Sequence, residues 1–133
     1  MAVEYPRFMI NRHAVILIPQ QPALDWLIEI DPTAKGQLTL EAIQDEPDIF
    51  LIKEADEGEA EALRWVEKNW RIFFDHFLEG WVTDESMFPK NLSLKMFKQW
   101  FAVRYHSMIW DLEKAPLLVT DEEDDSGEGG FLH

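Results

Sequence analysis

The order of apolar segments is the feature of this chain that most constrains its fold. After Arg12 the sequence passes through an apolar run, an amphipathic stretch, two short apolar runs, a long amphipathic stretch and an aromatic-rich run. Interpreted as strand, helix, strand, strand, helix and strand, this order predicts an α+β protein, a ferredoxin-like β-α-β-β-α-β sandwich. Because such sandwiches host many unrelated activities, the order alone indicates no function.

The shorter segments carry local signals that support this interpretation. Residues 14–18 are rich in β-branched side chains, which favours the first strand. Residues 22–30 place apolar side chains at helical spacing behind a proline that can open a helix. The short apolar runs 38–43 and 49–53 are joined by a polar, proline-containing link of hairpin length, so we predict strands two and three there.

The long amphipathic stretch predicts one continuous helix over residues 56–80. Asp56 can cap its start, and Gly80 marks its end. Its apolar side chains recur at spacings of three and four residues and comprise Leu63, Val66, Trp70, Phe73, Phe77 and Trp81. Trp70 and Phe73 are central in this stripe, so we expect both to be buried.

A second set of residues on the same helix predicts an interaction surface. Trp65, Ile72 and His76 lie off the stripe and make the apolar surface wider than one sheet face covers. A monomer would leave that surface exposed, so we expect a partner protein or a second copy, in a homodimer, to cover it.

The remainder of the body is predicted as a loop, a short helix and a strand. Residues 82–92 have the composition of an ordered loop with one turn of helix, and residues 94–100 that of a short helix. Residues 101–112 fit both an alternating strand and a helical face. We choose the strand because the segment is dense in aromatic and β-branched residues and the predicted fold otherwise lacks its fourth strand.

The acidic residues divide the chain into a body and a tail. The formal net charge of the 133 residues is -14, and six of the 26 acidic side chains lie in residues 121–133, which carry no Lys or Arg. We predict a single α+β domain over residues 1–120 and an acidic flexible tail over residues 121–133. The body alone has a net charge of -8, which disfavours binding to nucleic acid or to an anionic membrane.

Side chains that carry thiolate chemistry are missing from the sequence. The chain has no cysteine, which excludes disulfides, thiolate nucleophiles and thiolate metal sites. The polar N-terminus and the short apolar runs predict neither a signal peptide nor a membrane span, so we expect a cytoplasmic protein. No motif for a nucleotide or another cofactor occurs, and we expect no cofactor.

One part of the chain resembles a known type of sequence. FLEGW at residues 77–81 and TDE at 83–85 are followed by KMF at 95–97 and YHSMI at 105–109. Together these runs are similar to a family of small acidic bacterial proteins of uncharacterised function, over residues 77–112. The resemblance implies a bacterial, cytosolic origin and carries no catalytic residues to this chain.

Two arrangements of polar residues resemble chemical sites. His106, Ser107 and Asp111 suggest a hydrolase triad, but on a strand His106 points to one face and the other two to the opposite face. We therefore predict no catalytic residues. His76 and Glu79 share a face of the long helix, but matching ligands from other helices are not evident in the sequence, so we predict no metal site.

Arg104 and His106 form the candidate ligand-binding site. They share one face of the last predicted strand with Trp110. A guanidinium beside an imidazole can hold a carboxylate or a phosphate, and histidine titrates near neutral pH. The alternative is an arginine paired with a helix glutamate and a structural histidine.

Three functions are compatible with these observations. The leading hypothesis is a non-enzymatic protein-interaction or regulatory module, whose partner is another protein or a second copy of the chain. The alternative is a small-anion binding protein or enzyme that uses Arg104 and His106, with His106 as acid or base. The third is an acidic mimic of nucleic acid. A pocket lined by Arg104 and His106 would favour the second hypothesis, and an exposed apolar patch would favour the first.

Overall fold

The structure is a computed structural model that describes Glu4, residues 6–120 and the backbone of Phe131–Leu132. The mixture of helices and sheet confirms the predicted α+β class. In chain order the elements are β1 (Phe8–Met9), β2 (His13–Pro19), α1 (Gln21–Ile30), a 3-10 turn (Pro32–Ala34), α2 (Leu40–Gln44), β3 (Asp48–Ile52), α3 (Glu59–Lys68), α4 (Trp70–Trp81), a 3-10 turn (Glu85–Met87), α5 (Leu94–Trp100), β4 (Phe101–His106), β5 (Trp110–Asp111), β6 (Val119–Thr120) and β7 (Phe131–Leu132).

The chain divides into two compact units. The larger unit spans residues 11–109 and contains α1 to α5 together with β2, β3 and β4. The smaller unit combines residues 1–10 with residues 110–133, and in it β1 pairs with β5 and β6 with β7. The single domain predicted over residues 1–120 stays a prediction. The flexibility predicted for residues 121–133 falls, apart from β7, outside the described residues.

β2 is the central strand of a three-stranded antiparallel sheet in the larger unit. Val15 lies opposite Phe50 of β3 and Tyr105 of β4, which fixes the register of both pairings. Because side chains alternate along a strand, every second residue from these three points to the same face of the sheet. The side chains of that face join one hydrophobic core with the helices and comprise Val15, Leu17, Phe50, Ile52, Phe101, Val103 and Tyr105.

Aromatic side chains of α4 and α5 fill this core. The ring of Phe74 is fully buried, with its centroid 5.1 Å from that of Trp100. Phe73 is buried as predicted, whereas Trp70 is only half-buried. Phe74 and Leu78, which the predicted stripe omitted, are the most deeply buried residues of α4. Full burial of a side chain of this size stabilises the fold by about 1.5–3 kcal/mol.

The segment predicted as strand two forms helix α2 instead. The Thr39 hydroxyl accepts a hydrogen bond from the Ala42 N–H at 3.1 Å and so caps the helix. Ile43 is buried while Glu41 and Ala42 are exposed, which is a helical pattern. The prediction of a strand over residues 38–43 is therefore wrong, because the capping threonine outweighs the short apolar run. The sheet of the larger unit has three strands, and the ferredoxin-like topology is not confirmed.

The long helix predicted as continuous is divided into α3 and α4 at Asn69. The backbone of Asn69 has φ -113° and ψ 26°, and its Nδ2 donates a hydrogen bond to the Trp65 carbonyl at 2.9 Å. The Trp65 carbonyl thus accepts both the side chain and the backbone N–H of Asn69, whose backbone leaves helical geometry, so the prediction of one continuous helix is wrong. The start of the helix also differs from the prediction, since the N-cap of α3 is Gly58, with φ 88°, and not Asp56.

The segments after α4 follow the prediction as far as His106. The 3-10 turn in the loop supplies the predicted turn of helix, and α5 and β4 follow it. The indole N–H of Trp26 donates to the Met87 carbonyl at 3.0 Å and so ties this loop to α1. β4 ends at His106, so the strand predicted over residues 101–112 is confirmed only for its first half.

Candidate functional site

The sheet of the larger unit has a second face, which we call the outer sheet face. Its residues are Ala14, Ile16 and Ile18 of β2, Ile49 and Leu51 of β3, and Ala102, Arg104 and His106 of β4. Ile16 lies opposite both Ile49 and Arg104, so the three strands align these side chains in rows across the face. The described core cluster contains none of the outer residues, because they alternate with those that point inward.

The strands β2 and β3 are apolar on both of their faces. An antiparallel sheet with one solvated face normally alternates apolar and polar residues, but HAVILIP in β2 and DIFLI in β3 run almost without interruption. Ala14 is buried and Ile16 and Ile18 are half-buried. In contrast, Ile49 is 64% exposed and Leu51 is 49% exposed. The sequence thus has the composition of strands covered on both faces, while β3 leaves two large apolar side chains in water.

One end of the outer sheet face is cationic. The structure brings Arg104 and His106 together on the outer sheet face, Arg104 in the row of Ile16 and His106 in the next row toward this end, and both are exposed. Arg12 directly precedes β2 and Lys53 directly follows β3, so these exposed residues flank the same end, where His13 pairs with Ile52. The outer sheet face contains no Asp or Glu, although the chain has a net charge of -14. The region therefore presents cations beside apolar side chains.

Arg104 and His106 lie on an open surface rather than in a cleft. Among the described residues, neither of the two lines the clefts bordered by Met87 or the cleft between Leu63 and Val103. Within the described residues no carboxylate forms an ion pair with Arg104. Trp110, predicted to share their face, lies beyond the end of β4 and belongs to β5, so that part of the prediction is wrong. The ligand-binding role of the pair stays a prediction.

The three residues predicted as an interaction surface have different surroundings. Trp65 of α3 is half-buried and packs against the core. Ile72 of α4 is 58% exposed. The Nε2 atom of His76 lies 3.2 Å from a carboxylate oxygen of Asp48, and its ring packs edge-on against Phe50. Ile72 is therefore the exposed apolar member of the three, and their role in an interaction or a homodimer stays a prediction.

A polar cluster at His13 was missed by the sequence analysis. The Nδ1 atom of His13 accepts the Ala55 N–H at 3.0 Å and lies 2.7 Å from the Tyr105 hydroxyl oxygen. The cluster joins β2, β4 and the segment after β3, which indicates a structural role. No sequence signal could have found it, since His13 and Tyr105 are 92 positions apart.

Two neighbouring clefts of the larger unit are both lined by Met87. We call the first concavity the Met87 cleft; it has a volume of about 540 Å³ and is lined by residues that include Leu27, Ile30, Asp31, Leu38, Trp81 and Met87. A neighbouring cleft of about 580 Å³ shares Ile30 and Met87 with it and is bordered by Trp26 and Lys90. Both lie between α1 and the loop that follows α4, and sequence patterns alone could not place these segments side by side.

A carboxylate stabilises the 3-10 turn that carries Met87. The Ser86 hydroxyl donates to Oδ1 of Asp84 at 2.7 Å, and the Ser86 backbone N–H donates to the same oxygen at 2.9 Å. These two hydrogen bonds hold the pKa of Asp84 below its ordinary value, and the bond from the Ser86 hydroxyl has the larger effect. The ionised carboxylate therefore caps the turn that borders the Met87 cleft.

Comparisons with known proteins found no family model, curated protein or solved structure that matches the chain. The resemblance of residues 77–112 to small acidic bacterial proteins stays a prediction. Among the helices that the structure describes, none combines the length and the apolar character that crossing a membrane requires. The described residues also contain no group of three or more His, Asp or Glu side chains placed to hold a metal ion.

Proposed function

We propose that this protein is a non-enzymatic interaction module that binds a protein partner through the outer sheet face. The observation that carries the proposal is the exposure of Ile49 and Leu51 on a strand that is apolar on both faces. Single exposed apolar side chains are ordinary, whereas a contiguous set marks an interaction site. The set is contiguous here because Ile16 lies directly opposite Ile49.

Covering this face with a partner is energetically favourable. Complete burial of an Ile or Leu side chain gains about 1.5–3 kcal/mol relative to leaving it in water. β3 is held in register by five paired positions along β2, so its backbone is already ordered before a partner arrives. Binding to an ordered strand loses little conformational entropy, which leaves more of the burial energy for affinity.

The charge of the outer sheet face specifies the partner further. Arg12, Lys53 and Arg104 favour a partner that carries Asp or Glu beside its own apolar side chains. A second copy of the chain would present its own outer sheet face, which has no carboxylate to pair with these cations. A different protein with an acidic and apolar segment therefore fits this face better than a homodimer does.

A photo-crosslinking amino acid in place of Leu51, introduced in the cells that produce the protein, tests the proposal. The same amino acid in place of Ile72, an exposed apolar residue of α4, is the matched control. We expect position 51 to capture a distinct protein through an acidic and apolar segment, and Arg104→Ser to reduce that capture. Capture of nothing at position 51, of the same proteins at both positions, or of a second copy contradicts the proposal.

A second candidate function is the binding of a small anion by Arg104 and His106. Their common, exposed face at the end of β4 is the observation that favours it. Titration with inorganic phosphate, followed by amide NMR, is expected to shift residues 104–106 in the parent and not in Arg104→Ser. Lys95→Ser, which removes an exposed cation elsewhere, is the control. Unchanged spectra up to about 10 mM phosphate contradict this function.

A further inference from the structure

The Met87 cleft has the size and the walls of a small-molecule site, independently of the outer sheet face. Its volume of about 540 Å³ falls within the range of roughly 300–1,000 Å³ that is typical of ligand pockets. Leu27, Leu38 and Val82 contribute apolar wall. Trp81 and Met87, which are 47% and 38% exposed, leave apolar surface open to a ligand.

Two helices terminate at the Met87 cleft. α1 ends at Ile30 and α4 ends at Trp81, and both residues line the cleft. The C-terminus of a helix carries a partial negative charge of about half an elementary charge, which is normally complemented by basic residues in the last turn. Neither α1 nor α4 has a basic residue there. The two ends therefore add their negative potential at one place.

The end of α1 also keeps unused hydrogen-bond acceptors. Pro32 has no N–H, so the carbonyl of Ile28 lacks its helical partner. The Thr33 N–H donates to Oδ1 of Asp31, and the Ala34 N–H donates to the Asp31 carbonyl, rather than to the last carbonyls of the helix. Asp31, which lines the cleft, adds a carboxylate to this helix end. The cleft thus combines apolar walls with the Asp31 carboxylate and the negative ends of two helices.

We propose that the Met87 cleft binds a small organic cation, an ammonium group attached to an apolar body. The ammonium group meets the Asp31 carboxylate and the two helix ends, where it makes charge-assisted hydrogen bonds. The apolar body lies against the walls of the cleft, and the indole of Trp81 adds attraction between the cation and its ring. The lining contains no Lys or Arg that would neutralise the site.

Titration of the full chain with hexylammonium chloride, followed by amide and indole NMR, tests this proposal. We expect saturable shifts at the Trp81 indole N–H and at residues around Asp31. Hexanol, which has the same apolar body without the charge, is expected to bind about tenfold more weakly because it lacks the charge-assisted bond. Hexanoate, with the opposite charge, is expected to leave the cleft unchanged.

Two variants separate the charge of Asp31 from its structural role. Asp31→Asn keeps an oxygen that accepts the Thr33 N–H and removes the charge. It is expected to lower the affinity for hexylammonium about tenfold and to leave the affinity for hexanol unchanged. Asp56→Asn removes an exposed carboxylate outside the lining of the cleft, so it is the control for net charge and is expected to change neither affinity.

Several results would overturn the proposal. Absence of shifts at the cleft means that no site exists there. Equal affinity for hexylammonium and hexanol, or an unchanged hexylammonium affinity in Asp31→Asn, means that the cleft selects apolar area and not charge.

The acetylated and amidated tripeptide Leu-Lys-Leu distinguishes a free amine from a protein lysine. Tighter binding of that peptide than of hexylammonium assigns the cleft to a protein and contradicts a small-molecule ligand.

Discussion

The outer sheet face and the Met87 cleft are both apolar surfaces of the larger unit, and their local charges are opposite. The outer sheet face carries Arg104 and is flanked by Arg12 and Lys53, whereas the cleft has Asp31 and two helix C-termini. The net charge of -14 would suggest the same negative potential at both. The register of the strands determines the charge of the outer sheet face, and the ends of two helices determine that of the cleft. The two regions therefore favour partners of opposite charge.

The two regions also differ in shape. The outer sheet face is an open surface of three paired strands, which suits a second macromolecule that covers several side chains at once. The Met87 cleft is an open concavity of about 540 Å³, a size that suits a small molecule. Shape and charge therefore agree within each region, and we expect that each region can be disabled without the other.

The largest expected effect concerns the scaffold that both regions share. Phe74 is fully buried and contacts the rings of Trp100 and Phe101. Phe74→Ala is expected to lower the free energy of unfolding by about 3–5 kcal/mol, because it leaves a cavity beneath the sheet. Denaturant unfolding measures this, with Ile72→Ala, a change at an exposed residue, as the control. A midpoint equal to that of the control would mean that α4 is not the centre of the core.

The next prediction compares the effect of removing a leucine side chain from each of the two faces of the sheet. Leu17 of β2 points into the core and is 3% exposed, while Leu51 of β3 belongs to the outer sheet face. Leu17→Ala is expected to lower the free energy of unfolding by about 2–5 kcal/mol. Leu51→Ala is expected to change it by less than about 0.5 kcal/mol. Equal losses would show that the outer sheet face contributes to the core, and would remove the basis for a docking surface.

Local patterns predicted much of the fold, and failed where side chains compete with the backbone. The strand at residues 14–18, the helix at 22–30 and the helix at 94–100 are present because their composition and end signals agree. Thr39 caps a helix where a strand was predicted, and the predicted long helix is divided at Asn69, whose side chain bonds to the Trp65 carbonyl. Such bonds are decided by local geometry that the apolar spacing does not record.

The two proposed sites were accessible to sequence reasoning to different degrees. Alternation along one strand was enough to place Arg104 and His106 on a common face, because both lie in the confirmed part of β4. The apolar runs of β2 and β3 suggested burial on both faces, and nothing in the sequence showed that Ile49 and Leu51 stay exposed. The Met87 cleft joins segments that are distant in sequence, so its charge follows only from the packing of the helices.

A smaller effect is expected at the bond that positions Met87. Trp26→Phe keeps a buried ring but removes the indole N–H that donates to the Met87 carbonyl. The free energy of unfolding is expected to fall by about 1–2 kcal/mol, from the lost hydrogen bond and some lost packing. Amide NMR of the variant should show changes at residues 85–88 and unchanged signals along β3. Equal changes in both regions would mean that the two surfaces are not independent.

The smallest expected effect concerns pH. The folded-state pKa of Asp84 is lowered from 3.8, so its ionised form contributes stability above that pH and the contribution is lost as the pH falls through the lower value. Amide NMR spectra recorded between neutral pH and about pH 3 should show a change in the Ser86 signal. The Ile49 signal is not expected to change in parallel with it. Asp84→Ser keeps a capping oxygen and is expected to abolish the titration; a titration that persists assigns it to another group.

One titration tests directly whether the outer sheet face binds an apolar and acidic partner. Two acetylated peptides, one alternating leucine with glutamate and one alternating leucine with lysine, are added separately to the protein, and amide NMR spectra are recorded. We expect the glutamate peptide to shift the amides of β3, Leu51 among them, and the lysine peptide to leave them unchanged. Unchanged β3 signals with the glutamate peptide, or equal shifts with both peptides, would contradict it.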